Sequence, residues 1–356
     1  MYSIEKKLYS PLSQTTYVLE KKIGKGTYGT VFLCHLEKNP EKKYAIKQYF
    51  KNINPNTIHL EISILSYLNK FTSDKRILKI YDGFCDNETG NIWIVTSYLE
   101  NNDITKYLKQ ITIYEFGKYL YELLSCLKII HEKGIIHRDL KPSNFIYNLK
   151  TNESLLIDFG LAVADMDLNK WEEINELNNN LKDPDYKFIT DYQKNISVRH
   201  KIGTTGFSAP EVIFKSIYQN NKIDIWSSGV IFLCFMAQRF PIFNLSNKSK
   251  IDVECIKEIE PLILVYGKKN IEEISKVFGN VIFIGNEFDH YQINDGIKGL
   301  FKIKAKNNEE KKIFDSAENL LKKMLELNPN KRISAKDALE HEFFKLIGKK
   351  DKLNGK

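Results

Sequence analysis

The stretch that most limits what this chain can become is His137-Arg138-Asp139-Leu140-Lys141-Pro142-Ser143-Asn144. It sets a carboxylate, a cation and a side-chain amide close together, just after a long segment with apolar residues at helical spacing that stops at Gly134. Alone, such an octapeptide also fits a charged surface turn following a helix. Four other motifs narrow the choice because they fall around it in a fixed order. Gly24-Lys25-Gly26-Thr27-Tyr28-Gly29-Thr30-Val31 reads G-x-G-x-x-G-x-V, and Ala45-Ile46-Lys47 follows it on an apolar run. Asp158-Phe159-Gly160 and Ala209-Pro210-Glu211 come after the octapeptide. A lone G-x-G-x-x-G is weak, since dinucleotide-binding folds and ordinary hairpin turns produce it too; the order of all five is the signal.

Together these motifs resemble the eukaryotic protein kinase family, over about Tyr17 to Phe344. The resemblance implies an α+β, two-lobed fold, with a small β-rich N-lobe at 17–99 and a larger helical C-lobe at 100–344. A lead-in at 1–16 and a polar tail at 345–356 flank them, and an extended activation segment occupies 160–203. It also implies phosphoryl transfer from ATP with magnesium, a reaction in which catalysis is mostly positioning and charge neutralisation. On that template Asp139 accepts the proton of the attacking hydroxyl and Lys141 reaches the transferred phosphate. Asn144 and Asp158 hold magnesium. Ile23, Gly24, Lys25, Gly26, Thr27, Tyr28, Gly29, Thr30 and Val31 cover the nucleotide, Lys47 contacts its α and β phosphates, and Glu61 pairs with Lys47. The glycines are expected because a hairpin tip without Cβ atoms can approach ATP closely. Arg138 is a cation able to bind a phosphate or carboxylate on a neighbouring segment.

Further matches fill in the frame. Leu99-Glu100-Asn101-Asn102 corresponds to the hinge whose backbone bonds adenine, with the small Thr96 guarding the back pocket. Thr204 matches the threonine that contacts the catalytic aspartate, and with Lys141 it marks serine/threonine rather than tyrosine specificity. Glu211 is expected to pair with Arg332, and Asp224 to anchor the catalytic-loop backbone; both roles are structural.

Composition bounds the rest. Hydrophobic residues make up 42% of the 356, ample for a core, and no apolar run is long enough to span a membrane. The N-terminus lacks the apolar block of a signal peptide. Cys34, Cys85, Cys126, Cys234 and Cys255 are scattered, without C-x-x-C, which fits reduced thiols in a cytosolic or nuclear protein. The net charge of +8 reads as lysine-rich solvated faces rather than a nucleic-acid surface. Strand-like patterns lie at 17–19, 31–34, 44–49, 77–84, 91–98 and 154–157, with a turn at 39–43. Helical spacing covers 56–69, 113–132, 316–327 and a final helix ending at Phe344. Residues 1–16 and 349–356 read as poorly ordered, 245–310 carry no motif, and 160–203 read as exposed or unordered without a partner.

Departures from the general pattern point to one branch. Asn144-Phe145, Gly203-Thr204-Thr205-Gly206-Phe207-Ser208-Ala209-Pro210-Glu211, Thr96-Ser97-Tyr98-Leu99-Glu100 and the 223–233 run are similar to the cell-division-cycle-seven kinases, which fire replication origins by phosphorylating the replicative helicase. That resemblance implies a helicase subunit as substrate, a separate activating subunit, nuclear action, and low activity of the lone chain. Thr205 and Ser208 stand where those kinases have proline and arginine, so a preference for acidic sites does not transfer directly, although Arg199, His200 and Lys201 lie just upstream. The rivals are a kinase of another substrate class, of casein-kinase type, and a pseudokinase scaffold. The pseudokinase would have lost one of Lys47, Asp139, Asn144 or Asp158, and all four are present. A cyclin-dependent kinase is disfavoured because 56–69 lacks a P-S-T-A-I-R-E-like run.

Overall fold

The computed structural model describes residues 6–100, 104–107, 109–165, 203–216, 219–240, 242, 254–279, 284–288 and 295–354. Six antiparallel strands form the N-terminal sheet: β1 (Lys7–Ser10), β2 (Thr15–Lys25), β3 (Gly29–Leu36), β4 (Asn39–Tyr49), β5 (Ile80–Cys85) and β6 (Ile92–Ser97). Their spatial order is β1-β2-β3-β4-β6-β5. Strand alternation sorts β4 into two faces. Tyr44 and Ile46 join Leu8, Tyr17, Cys34, Phe84, Trp93 and Val95 in one cluster, while Tyr49 packs with Ile58 and Ile94 in another.

Two sequence expectations change here. The lead-in is not irregular: Lys7–Ser10 pair with Val18–Thr15, and the sheet curls until Ser13 Oγ and Tyr17 OH donate to Asp82 Oδ2 on β5, at 2.5 and 2.9 Å. Leu8, buried at 3% exposure, pins a strand that otherwise looks polar. The turn expected at 39–43 is part of β4, and the chain reverses at Glu37-Lys38 instead, with Leu36 opposite Asn39. A register shift there takes up Pro40, which cannot donate to a ladder.

Helix α1 (Pro55–Phe71) lies under the sheet; Asn54 caps it, its side chain accepting from Asn56 N, and Pro55 starts it. In the C-terminal lobe α2 (Ile113–Glu132) matches its expected bounds, because Thr112 and Glu115 form a reciprocal capping box and Gly134 turns the chain out at φ 70. Short strands β7 (Ile135–Ile136), β8 (Phe145–Tyr147), β9 (Ser154–Leu156) and β10 (Val163–Ala164) carry the loops that face the sheet. Helices α3 (Pro210–Ile213), α4 (Lys222–Met236), α5 (Glu254–Tyr266), α6 (Lys268–Val277), α7 (Asn308–Met324), α8 (Ala335–Leu339) and α9 (Glu342–Asn354) complete the described lobe.

Helix α4 is buried on every side, and Phe116 of α2 stacks on its Phe235 with centroids 4.1 Å apart. Helix α7 starts eight residues before the expected 316, since Asn307 caps a first turn whose residues are all polar. The expected final helix is two, α8 and α9, and α9 carries the polar tail on to Asn354. The unreadable 245–310 stretch contains α5 and α6. Residues 101–102 of the hinge, 166–202 of the long segment (with Arg199, His200 and Lys201) and 281–283 lie outside the described residues.

Gly29 illustrates how tightly the sheet is built. A Cβ there would sit 2.2 Å from the Gln48 carbonyl oxygen, so the neighbouring strand by itself excludes a side chain. At Gly26 the space is open. Gly29→Ala is expected to cost about 2 kcal/mol in urea unfolding, in the range for overpacking, whereas Gly26→Ala leaves stability within about 0.5 kcal/mol. Equal stability of the two variants would contradict this reading.

Candidate active site

The loop between β7 and β8 is held from below. His137 N and Arg138 N donate to Asp224 Oδ2 and Oδ1 at 2.8 and 2.9 Å, and His131 Nε2 meets Oδ2 at 2.8 Å. Burial pushes the Asp224 carboxyl up, but the His131 hydrogen bond and the neighbouring histidine and amide contacts outweigh it and hold the group below the usual range. This charged anchor lets Arg138 keep a left-handed φ of 69, a strained geometry that needs fixed surroundings. Burial lowers the Arg138 guanidinium to about 10, so it stays charged at neutral pH, and its Nη2 has no partner among the described residues.

Asp139 is the centre of a small network. Its Oδ1 accepts from Thr204 Oγ1 at 2.6 Å, and its Oδ2 accepts from Lys141 Nζ at 2.7 Å and Asn144 Nδ2 at 3.1 Å. Lys141 Nζ also donates to Thr204 Oγ1 at 2.8 Å. Asn144 Nδ2 is held chiefly by the Asp139 backbone carbonyl at 2.8 Å, which leaves its Oδ1 as the atom able to meet a cation. His137 Nε2 lies 2.9 Å from the Ile157 carbonyl, so that nitrogen carries the proton, and Nδ1 accepts from Asp139 N at 3.3 Å. The ring also packs 5.1 Å from fully buried Phe159.

The sheet brings the second half of the site. Lys47 Nζ bonds both carboxylate oxygens of Glu61, each at 2.7 Å, across the interface of β4 and α1. Asp158, in a left-handed φ of 64, places Oδ1 3.9 Å from the same nitrogen. Thus Lys47 pairs with Glu61, and Asp158 lies beside the pair. The loop Gly26–Tyr28 caps them: Ile23, Gly24 and Lys25 end β2, and Gly29, Thr30 and Val31 begin β3. Tyr28 turns its ring inward, so that a Cβ on Gly160 would lie 2.9 Å from it. Burial first, and then the charge of Asp158, push the Tyr28 phenol up. Thr96 is buried on β6, paired with Ala45, with Oγ1 3.4 Å from the Ala45 carbonyl.

The substrate side rests on a rigid floor. Ser227 Oγ donates to the Phe207 carbonyl at 2.9 Å. Arg332, fully buried, donates to Glu211 Oε1 and Oε2 at 2.6 and 2.9 Å and to the carbonyls of Glu326, Lys222 and Leu327. Five acceptors thus meet the five N–H groups of one guanidinium. One residue at the site was missed in the sequence: Tyr49, whose hydroxyl donates to Glu61 Oε2 at 2.9 Å. A tyrosine ending an apolar strand reads as core, and nothing in its spacing separates the two roles.

A curled sheet over a helical lobe, with the Lys47–Glu61 pair beside Asp158 on one side and the Asp139–Lys141–Thr204 network on the other, is the arrangement of a phosphotransferase. The model of the protein kinase domain matches residues 17–344, and the chain belongs to the protein kinase family, as a serine/threonine protein kinase. It is 30% identical to the cell cycle serine/threonine-protein kinase hsk1 of Schizosaccharomyces pombe, over 94% of this chain and 73% of that one. The cell cycle protein kinase spo4 of the same organism is 28% identical over 87% and 75%. The "Probable cell division control protein 7 homolog 1" of Encephalitozoon cuniculi is 29% identical over 96% of both chains. Among the described residues no helix is long and apolar enough to cross a membrane.

Proposed function

We propose that this kinase acts in the nucleus at the initiation of DNA replication, phosphorylating serine and threonine of a replicative-helicase subunit together with a separate activating subunit. The observation that carries the reading is the likeness, over 96% of both chains, to the "Probable cell division control protein 7 homolog 1". The form of the 203–211 segment supports it.

For the chemistry we propose the following roles. The hard oxygens of Asn144 and Asp158 suit magnesium, which takes few protein ligands and leaves the rest to phosphate and water. Bound magnesium-ATP supplies the γ-phosphoryl group and neutralises charge on it. Lys47, oriented by Glu61, contacts the α and β phosphates beneath the loop formed by Ile23 to Val31. Asp139 accepts the proton of the substrate hydroxyl, and Thr204 and Lys141 orient its carboxylate. Lys141, already beside Asp139 Oδ2, also offers a cation to the phosphate in transfer. A pseudokinase is disfavoured because these groups are not only present but mutually bonded.

A second reading is a kinase of another substrate class, the casein-kinase type among them; Ser208, standing where an arginine would select acidic sites, leaves the substrate preference open to it. The test is phosphate transfer by the purified chain to an acidic serine-rich tail of the helicase, with and without the co-expressed activating subunit. At least about a tenfold gain with the subunit is expected, the scale of about 1.4 kcal/mol of coupling. Full activity alone, on unrelated substrates, would move the chain to the second reading.

A further inference from the structure

The Lys47–Glu61 pair has a rival on one side and a clamp on the other. Lys47 Nζ lies 2.7 Å from both oxygens of Glu61 and 3.9 Å from Asp158 Oδ1, so two carboxylates compete for one ammonium group. Lys47 keeps its place facing the nucleotide only if Glu61 holds it against Asp158. Glu61 is 3% exposed, and a buried carboxylate is stable where its lone pairs are met by donors.

Tyr49 supplies what is needed. It follows Lys47 by two residues on β4, so both side chains leave the same face of the strand. Its hydroxyl donates to Glu61 Oε2 at 2.9 Å, and its ring centroid lies 4.8 Å from Lys47 Nζ, within cation–π range. One side chain therefore touches both members of the pair. The slot around Oε2 is closed opposite by Gly160, where an added Cβ would lie 3.2 Å from that oxygen. Tyr49 itself is 3% exposed and paired with Gly29, the residue that tolerates no Cβ. Burial, and then the charge of Glu61, raise the phenol far above its ordinary value, so the hydroxyl remains a donor throughout the working pH range.

We propose that Tyr49 is a positioning residue for nucleotide binding, fixing Glu61 and Lys47 as one unit against the pull of Asp158. The inference rests on membership of the kinase family and not on the replication role. Phenylalanine at this position would keep the ring and the packing but leave Glu61 Oε2 one donor short. Glu61 would then share Lys47 with Asp158, and the phosphates would find the lysine displaced.

The test compares Tyr49→Phe with the unaltered chain, using magnesium-ATP and dephosphorylated casein as a general substrate, alongside calorimetric titration of magnesium-ADP, which needs neither partner nor protein substrate. A hydrogen bond to a charged group is expected to matter about tenfold. Tyr49→Phe should raise the KM for ATP and the Kd for ADP about tenfold, with the KM for casein unchanged and the Tm lowered only slightly. In a Glu61→Gln background the same substitution should change nucleotide affinity less than about twofold, because its action passes through Glu61. Nucleotide affinity within twofold of the unaltered chain in Tyr49→Phe, or an equal penalty in both backgrounds, would overturn the proposal and leave Tyr49 as packing alone. The calorimetric arm keeps this outcome separate from any failure of the replication reading.

Discussion

Asp139→Asn is expected to lower kcat by about a thousandfold, within the usual worth of a general base, while leaving KM for ATP and thermal stability unchanged. The separation follows from the network. The amide is the same size as the carboxylate and can keep its oxygen toward Lys141 Nζ and Asn144 Nδ2. Its NH2 would then face Thr204 Oγ1, and that hydroxyl can reverse from donor to acceptor. The packing is kept and only the partly exposed ion pair with Lys141 is weakened, but no carboxylate remains to take the proton of an attacking hydroxyl. Steady-state assays with urea unfolding alongside decide it: a variant retaining more than a tenth of the activity would remove Asp139 from its assigned role.

Arg332→Ala should have the largest effect on stability, about 4 kcal/mol, the scale for leaving one member of a buried ion pair unpaired. Glu211 is fully buried with it, and the guanidinium also satisfies three backbone carbonyls between 222 and 327. Its removal strands a carboxylate and those carbonyls together, and its contact with Trp226, 5.1 Å from the ring, is lost as well. Replacing both partners with methionine should recover part of the loss, since the stranded charge is gone. A cost below 1 kcal/mol for Arg332→Ala would show that the carbonyls and Glu211 find other donors.

These two residues mark what a sequence of this kind discloses. Asp139, Asn144, Asp158 and Lys47 stood out because few other residue types could fill the roles proposed for them, at spacings imposed by loop and strand. Arg332 and Glu211, 121 positions apart, were legible only through resemblance, as no local pattern links them. Tyr49 was not legible: its hydroxyl bond depends on how close α1 approaches β4, which is a tertiary distance. The strand β1 was hidden because only alternate residues of Lys7–Ser10 are buried, and Ser10 gives no apolar signal. Helix α7 extends beyond its apolar pattern because its stripe of Ile313, Ala317, Leu320, Leu321 and Met324 begins only after a polar first turn. At Gly29 the backbone of β4 alone leaves no room for a Cβ, a tertiary closeness that the glycine pattern does not disclose.

The most direct test of the account is phosphoamino-acid analysis of a protein substrate incubated with the purified chain and magnesium-ATP carrying a labelled γ-phosphate, run beside Asp139→Asn and supplied with the activating subunit where one is needed. Label on serine and threonine, absent from tyrosine and lost in the variant, is the expected result. Label that persists in Asp139→Asn, or no transfer under any condition despite nucleotide binding, would contradict the assignment of this site.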